Sequence, residues 1–333
     1  MVSAMDDLTP FFAQVAKLCH LGALYCEPCR ISGGFMHRMF RLDTESGSYA
    51  LKLLNPEILK RPDARRNYRR AEKLEKQLRD AGLPVVAALE FDGKKMLSLA
   101  GHDFYLFPWI EGKALTPAEV EPHHCRRIGE ILARQHSLPC EARPGDLQPL
   151  DFQWPALLEE AHRRKNIPIE EMLEEHCDLL CRIQQETHDA AKRLSPAVCI
   201  SNGDMDIKNV LWQNGNPLVI DLECLDHGHP EREMLMLALM WAGLETDVWK
   251  PDNFRAFVES YTALRGAVRN EPAVLFDSMD VWPEWLHYNV KRALGIEAQD
   301  EEERLLGLKQ AQFAMSRVLF SRKVRAQILA LLG

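Results

Sequence analysis

Four polar side chains sit where the surrounding sequence is apolar. Lys52 lies in the alternating run "YALKLL", flanked by Leu51 and Leu53. Asp204 and Asn209 are five residues apart in "ISNGDMDIKNVLW" (200–212), a tight loop between apolar segments. Asp221 closes the apolar stretch "PLVI" (217–220), and a carboxylate at the end of a buried strand is costly unless it is paired, hydrogen-bonded or bound to a metal. Each feature alone is ordinary: a strand Lys usually marks the solvent side, and a polar loop is usually a turn. Together and in this order they are the parts that phosphoryl transfer from ATP requires. A Lys neutralises the α- and β-phosphates, and a Glu fixes that Lys. An Asp orients the acceptor hydroxyl and receives its proton, and an Asn and a second Asp hold Mg2+ across the phosphate oxygens. Glu72, on the next expected helix, could reach Lys52.

The elements that must position these groups follow from the pattern along the chain. Thr9-Pro10 signals the start of a helix over 8–22. "FMHRMFRLDT" alternates as a half-buried strand does, Ser46-Gly47-Ser48 marks a turn, and "YALKLL" follows, so the pair reads as a hairpin. Residues 63–81 read as a helix closed by Gly82 and Pro84. Short strands follow, with Asp92-Gly93 as a hairpin turn. Beyond Gly112 the character changes. Helices are expected over 117–138, 155–165 and 168–194, two short strands flank the Asp204 loop, and residues 230–333 are mostly helical. A small β-rich part, about 23–107, thus precedes a larger α-rich part. Phe107-Pro108-Trp109-Ile110-Glu111-Gly112 lies between them, where small-molecule clefts tend to form.

The order of Lys, Glu, Gly-Asp-x4-Asn and strand Asp matches the protein-kinase signature set. The chain resembles the aminoglycoside phosphotransferase family and its choline-kinase-like relatives. The match is close over "NGDMDIKNVLW" and "VIDLE" and looser over "GGFMHRMFRL", "YALKLLNPEI" and "LFPWIEG". The resemblance implies an α+β, protein-kinase-like bilobal fold with a small β-rich N-lobe and a larger, mainly α-helical C-lobe. Residues 1–107 would form the nucleotide-binding lobe and 108–112 a hinge. Residues 113–333 would form the helical lobe with the catalytic and metal loops and the acceptor pocket. It implies Asp204 as catalytic base, Asn209 and Asp221 as Mg2+ ligands, and Lys52 on the ATP phosphates. Glu72 would be the ion-pair partner of Lys52, with Glu75 as the alternative. Backbone groups of Phe107, Trp109 and Ile110 would meet the adenine, and Gly33 and Gly34 would let a loop close over the phosphates. His37 in that loop is either a phosphate contact or exposed. The residue two before the base is His in relatives and Asn202 here. Asp206 is then a loop-bracing or exposed residue, because Asn209 must follow the base by five.

Composition narrows the alternatives. The chain has 333 residues, 46% of them apolar and 27% charged, which is globular composition. The net charge of −8 and the lack of a long basic run argue against a nucleic-acid partner. Nine cysteines without a signal sequence point to free thiols in a reducing cytoplasm. The longest apolar run, Met234–Leu244, is short of the ~20 residues that span a bilayer. His136 is expected to brace the catalytic loop or cap its helix, and Glu223 to assist metal binding or face solvent. The expected activity is ATP-dependent phosphorylation of a hydroxyl on a small molecule such as an aminoglycoside or an amino alcohol. The acidic segment 159–178 would favour a cationic acceptor. The alternative is a nucleotide-binding, kinase-like protein with little or no turnover. A protein kinase is disfavoured because no recognisable activation segment or Ala-Pro-Glu follows Asp221.

Overall fold

The computed structural model describes residues 8–31, 37–143, 148–246, 248–298 and 300–333. The chain divides into two units: Met1–Leu115 with Asn202–Asp226, and Thr116–Ser201 with His227–Gly333. Among the described residues no helix is long and apolar enough to cross a membrane.

The first unit is built on alternation. Helix α1 (Thr9–Leu18) leads into β1 (Cys29–Ile31), β2 (Arg38–Thr44) and β3 (Gly47–Leu53). After the short α2 (Pro56–Leu59) and the long α3 (Ala64–Asp80) come β4 (Leu97–Leu99) and β5 (His102–Pro108). The strands form one sheet in the order β1-β2-β3-β5-β4, with antiparallel neighbours. Because side chains alternate between faces, Phe40, Leu42, Leu51, Leu53, Phe104 and Leu106 pack on α1, against Phe11, Phe12 and Val15. Leu42, Leu51 and Leu106 are fully buried, and each contributes about 2 kcal/mol by its removal from water. The opposite face carries Tyr105, which clusters with Ala64 and Tyr68 of α3 and with Leu54 and Ala88. On α3 the buried positions Ala64, Tyr68, Ala71, Leu74, Glu75 and Leu78 recur every three or four residues, one stripe of a helix. The expected Asp92-Gly93 turn is present: both residues have positive φ, and Phe91 pairs with Lys94. Strand β6 (Lys113–Ala114) ends this stretch.

The second unit begins with α4 (Pro122–His136), α5 (Trp154–Arg164), α6 (Ile167–Arg193) and β7 (Cys199–Ser201). Helix α4 starts later than the sequence suggests. Thr116-Pro117 forms a turn held by Glu119, whose carboxylate accepts from the Thr116 N–H and hydroxyl. The cap is Glu121, whose N–H donates to His124 Nδ1, with Pro122 as the first helical residue. The chain then returns to the first unit for β8 (Val210–Gln213) and β9 (Asn216–Val219). Asn214 and Gly215 both have positive φ, as a two-residue hairpin turn of type I′ requires. β6 pairs with β8, and Val219 exchanges backbone hydrogen bonds with the 84–86 segment after α3, so this hairpin is anchored on both sides.

The remainder is β10 (Asp226–Gly228), α7 (Pro230–Trp241), α8 (Pro251–Arg265), α9 (Pro272–Asp277), α10 (Val281–Ala293) and α11 (Glu301–Leu332). Trp154, Leu173, Leu286, Val290, Ala311 and Ala314 share one core. Gly129 lets α4 lie directly on α8: a Cβ there would stand 2.5 Å from the Phe257 carbonyl oxygen.

Candidate functional site

The loop between β7 and β8 is organised by its own polar side chains. Asn202 is fully buried, and its Oδ1 accepts the Asp204 N–H at 3.1 Å. Gly203 has φ +75°, and a Cβ there would come within 3.2 Å of the Cys224 carbonyl oxygen, so the chain here needs glycine on both counts. Asp206 Oδ1 accepts the N–H groups of Lys208 and Asn209 at 3.0 and 3.2 Å, starting a single helical turn over Ile207–Asn209. Asp206 is therefore buried and braces the loop. Asn209 donates its Nδ2 to both the carbonyl oxygen and the Oδ2 of Asp204, each at 2.9 Å. Its carbonyl Oδ1 is then the atom that remains to ligate a cation. Burial pushes the Asp204 carboxyl up to about 6; Lys208, 3.6 Å from Oδ1, opposes this, while Asp206 and Asp221 add to it.

Lys52 is held from the other side. It is buried on β3, opposite Tyr105 of β5. Its Nζ donates to Asp221 Oδ1 at 2.7 Å and to Glu223 Oε2 at 2.5 Å. Burial acts to lower its pKa, but the two carboxylates outweigh it and raise it. Two of its three N–H donors are engaged, which leaves one for a further anion. Asp221 occupies the left-handed region at φ 59°, a conformation that non-glycine residues adopt rarely and often at functional positions. Glu223 bridges two donors: its other oxygen, Oε1, lies 3.3 Å from His37 Nε2. Burial would raise the Glu223 pKa, yet His37 and Lys52 hold it down at about 2.

Several expected contacts are made differently. Glu72 does not meet Lys52; its Oε1 accepts the Tyr105 hydroxyl at 2.7 Å. Tyr105 is the cross-strand neighbour of Lys52, and its ring centroid lies 6.0 Å from that of Tyr68 on α3. Glu75 pairs instead with Lys95 in a buried contact and accepts the Ala88 N–H. His37 is neither exposed nor turned outward, being 6% accessible with both ring nitrogens bonded. Glu223 likewise is half-buried against Lys52 rather than facing solvent.

Phe107 and Trp109 use backbone groups within the sheet. The Trp109 N–H donates to the Ser48 carbonyl, so by antiparallel alternation Phe107 exchanges its backbone bonds with Ala50. Between them, Pro108 directs its carbonyl away from β3. Ile110 lines, with Pro108, Val85, Ala87, Leu89 and Leu218, a cavity of about 330 Å3. The Trp109 ring lies under the Arg41 guanidinium at 4.5 Å and donates to Glu111. Gly33 and Gly34 lie outside the described residues.

His136, in the second unit, braces helices rather than the loop. Its Nδ1 meets the Tyr261 hydroxyl at 2.8 Å and its Nε2 meets Glu233 at 2.9 Å, joining α4, α7 and α8. Cys199 lies close to this pair, and the three ligand atoms fall within 4.8 Å of one another. The thiol points at the Gly228 carbonyl, and the His nitrogens are both occupied, as in a structural brace. The neighbouring Gln135 does support the strand before the loop, donating to the Ile200 carbonyl.

Sequence reasoning did not foresee Glu223 and His37 at Lys52. No local signal marks them: Lys52 and Glu223 are 171 residues apart. Lys208, beside Asp204, is adjacent to Asn209 in sequence and could have been found from that position.

The β-rich first unit and the mainly helical second unit define a protein-kinase-like fold, with a lysine strand and a Gly-Asp-x4-Asn loop. The chain belongs to the phosphotransferase enzyme family, whose model matches residues 27–267. Similar solved structures include the spectinomycin phosphotransferase APH(9)-Ia in complex with ADP and spectinomycin (16% identity, TM-score 0.68, covering 94% of this chain and 98% of that one). A choline/ethanolamine kinase family protein from Mesorhizobium loti (15% identity, TM-score 0.59, 96% and 98%) is similar as well. So is choline kinase from Cryptosporidium parvum Iowa II (13% identity, TM-score 0.57, 97% and 98%). No curated protein sequence matches the chain.

Proposed function

We propose that this phosphotransferase moves the γ-phosphate of ATP to a hydroxyl of a small molecule, with its nucleotide site on the first unit. The observation that carries this reading is the convergence within that unit of Lys52 on Asp221 and of Asn209 on Asp204. The nucleotides in the spectinomycin phosphotransferase structures, ADP in one and AMP in another, support a nucleotide here.

The residues fit a magnesium ion. The Asn209 Oδ1 and the Asp221 carboxylate are hard oxygen donors, the type that Mg2+ takes. When bound, the ion would be held by these oxygens and would neutralise phosphate charge. Lys52 presents its remaining N–H to the α- and β-phosphates, and the carbonyl of Pro108 and the side chain of Ile110 meet the purine. Asp204 orients the acceptor hydroxyl and takes its proton as the oxygen forms a bond to the γ-phosphorus. The bond from that phosphorus to the β–γ bridging oxygen breaks, and ADP leaves. A carboxylate with a pKa near 6 is ionised at neutral pH yet still basic enough to accept this proton, a contribution of about 10²–10⁴ in rate.

The acceptor is a hydroxyl compound, and a cationic one is favoured. Glu171, Glu174, Glu175 and Asp178 are exposed along one face of α6, which attracts positive charge. The test is a screen for ATP- and Mg2+-dependent phosphorylation across aminoglycosides, choline-like amino alcohols and neutral sugars. Phosphorylation of a cationic hydroxyl compound is expected. Phosphorylation confined to neutral sugars would overturn the charge argument. Failure of the chain to bind MgATP at equilibrium would overturn the nucleotide reading.

A further inference from the structure

We propose that Lys52 is anchored for nucleotide binding by Glu223, which His37 and Tyr68 position, and not by a carboxylate of helix α3. This rests on the reading of Lys52 as the residue that meets the nucleotide phosphates. Glu223 is the substrate-side anchor, and His37 is a positioning residue that acts through it.

The geometry is specific at each link. The Asn55 N–H donates to His37 Nδ1 at 3.0 Å, so that nitrogen carries no proton and the ring proton sits on Nε2. Nε2 hydrogen-bonds the Tyr68 hydroxyl at 3.1 Å and lies 3.3 Å from Glu223 Oε1. The other carboxylate oxygen, Oε2, takes Lys52. Each oxygen of Glu223 thus has a nitrogen beside it, His37 Nε2 at Oε1 and Lys52 Nζ at Oε2. Tyr68 contributes its hydroxyl, which supports the imidazole, and its ring neighbours that of Tyr105. Both carboxylates of α3 that could have served are engaged elsewhere, Glu72 by Tyr105 and Glu75 by Lys95.

The consequence is mechanical. Lys52 is tied to the 221–223 turn and, through His37, to the start of β2 and the residue before α2. The α3 carboxylates take no part in this; α3 contributes the Tyr68 hydroxyl, at His37.

The test compares MgATP binding and steady-state turnover in the full chain and four variants, with thermal unfolding as a control for folding. Glu223→Gln and His37→Ala are expected to weaken MgATP binding and raise its KM about tenfold, with kcat at saturation much less affected. His37→Gln places an amide N–H near the position of Nε2 and is expected to restore binding to within about threefold of the parent. Glu72→Gln is expected to bind MgATP as the parent does. The inference is overturned if Glu72→Gln weakens binding as much as Glu223→Gln. It is also overturned if His37→Ala lowers the unfolding temperature while leaving the KM for MgATP unchanged, which is what a merely structural histidine would do. An intact parent chain that binds no MgATP would overturn the nucleotide reading, and with it this inference; the other two outcomes overturn the inference alone.

Discussion

Helix α3 and the 202–226 segment both carry carboxylates in the first unit, and the two regions use them in opposite ways. On α3, Glu72 accepts a tyrosine hydroxyl and Glu75 closes a buried pair with Lys95 that also caps the Ala88 N–H. These contacts fix the helix to its own layer. In the 202–226 segment, Asp204 faces Asn209, and Asp221 and Glu223 converge on Lys52. Here the backbone takes left-handed conformations at Gly203 and Asp221, and Asp221 meets Lys52 through Oδ1. The difference teaches that the partner of a buried carboxylate is chosen by tertiary register. A helix position one turn from a strand lysine does not by itself make an ion pair when an aromatic residue stands on the neighbouring strand.

The contrast can be broken first at the metal ligands. Asp221→Asn removes a charge from the segment proposed to do the chemistry. Turnover at a fixed, limiting Mg2+ concentration should fall roughly 100-fold or more, with partial recovery at high Mg2+. A loss that added Mg2+ does not relieve would argue that Asp221 is only the structural partner of Lys52.

The next effect belongs to α3 and to stability. Glu75→Gln leaves the Lys95 ammonium buried without its counter-charge, which should cost about 3 kcal/mol in a denaturant titration. MgATP affinity of the folded fraction should be unchanged, because Glu75 touches neither Lys52 nor the loop. A loss of affinity without a loss of stability would reverse the division between the two regions.

A smaller effect is expected from pH. Burial raises the Asp204 carboxyl to about 6, and as the proposed base it would work only when ionised. Turnover should therefore be present above pH ~6 and decline below it, by about tenfold between pH 7 and pH 5. The carboxyl carbon of Asp204, followed by NMR in the metal-free chain, should titrate at the same raised midpoint. A midpoint in the ordinary carboxylate range would remove the basis for this profile.

The smallest effect is expected at Glu72. Glu72→Gln keeps an acceptor for the Tyr105 hydroxyl, so stability should change by less than about 1 kcal/mol in the same denaturant titration. A larger loss would mean that the charge of Glu72 supports the helix in a way its single hydrogen bond does not explain.

What the sequence disclosed follows the same division. The β2–β3 hairpin, the Asp92-Gly93 turn and the span of α3 were legible because alternation, turn residues and helical periodicity are local signals. The loop from Asn202 to Asn209 was legible too, since its donors and acceptors lie within a few residues of one another. The start of α4 was misplaced because Thr116-Pro117 and Glu121-Pro122 offer similar signals, and the choice rests on the side chains of Glu119, which closes a turn on Thr116, and His124, which accepts the Glu121 N–H. The partner of Lys52 was not legible. It depends on the β3–β5 register that sets Tyr105 beside Lys52, and on a turn 171 residues away. The strand bonds of Phe107 and of the Trp109 N–H were not legible for the same kind of reason: the ladder with β3 engages every second residue, and sequence does not say which.

The central claim is that the 202–226 segment performs phosphoryl transfer, with Asp204 as the base. Its most direct test is MgATP consumption by the parent chain and by Asp204→Asn, measured beside MgATP binding to both. The account predicts that turnover falls by about 10²–10⁴ in Asp204→Asn while nucleotide affinity stays near that of the parent. Turnover that survives the substitution would contradict it.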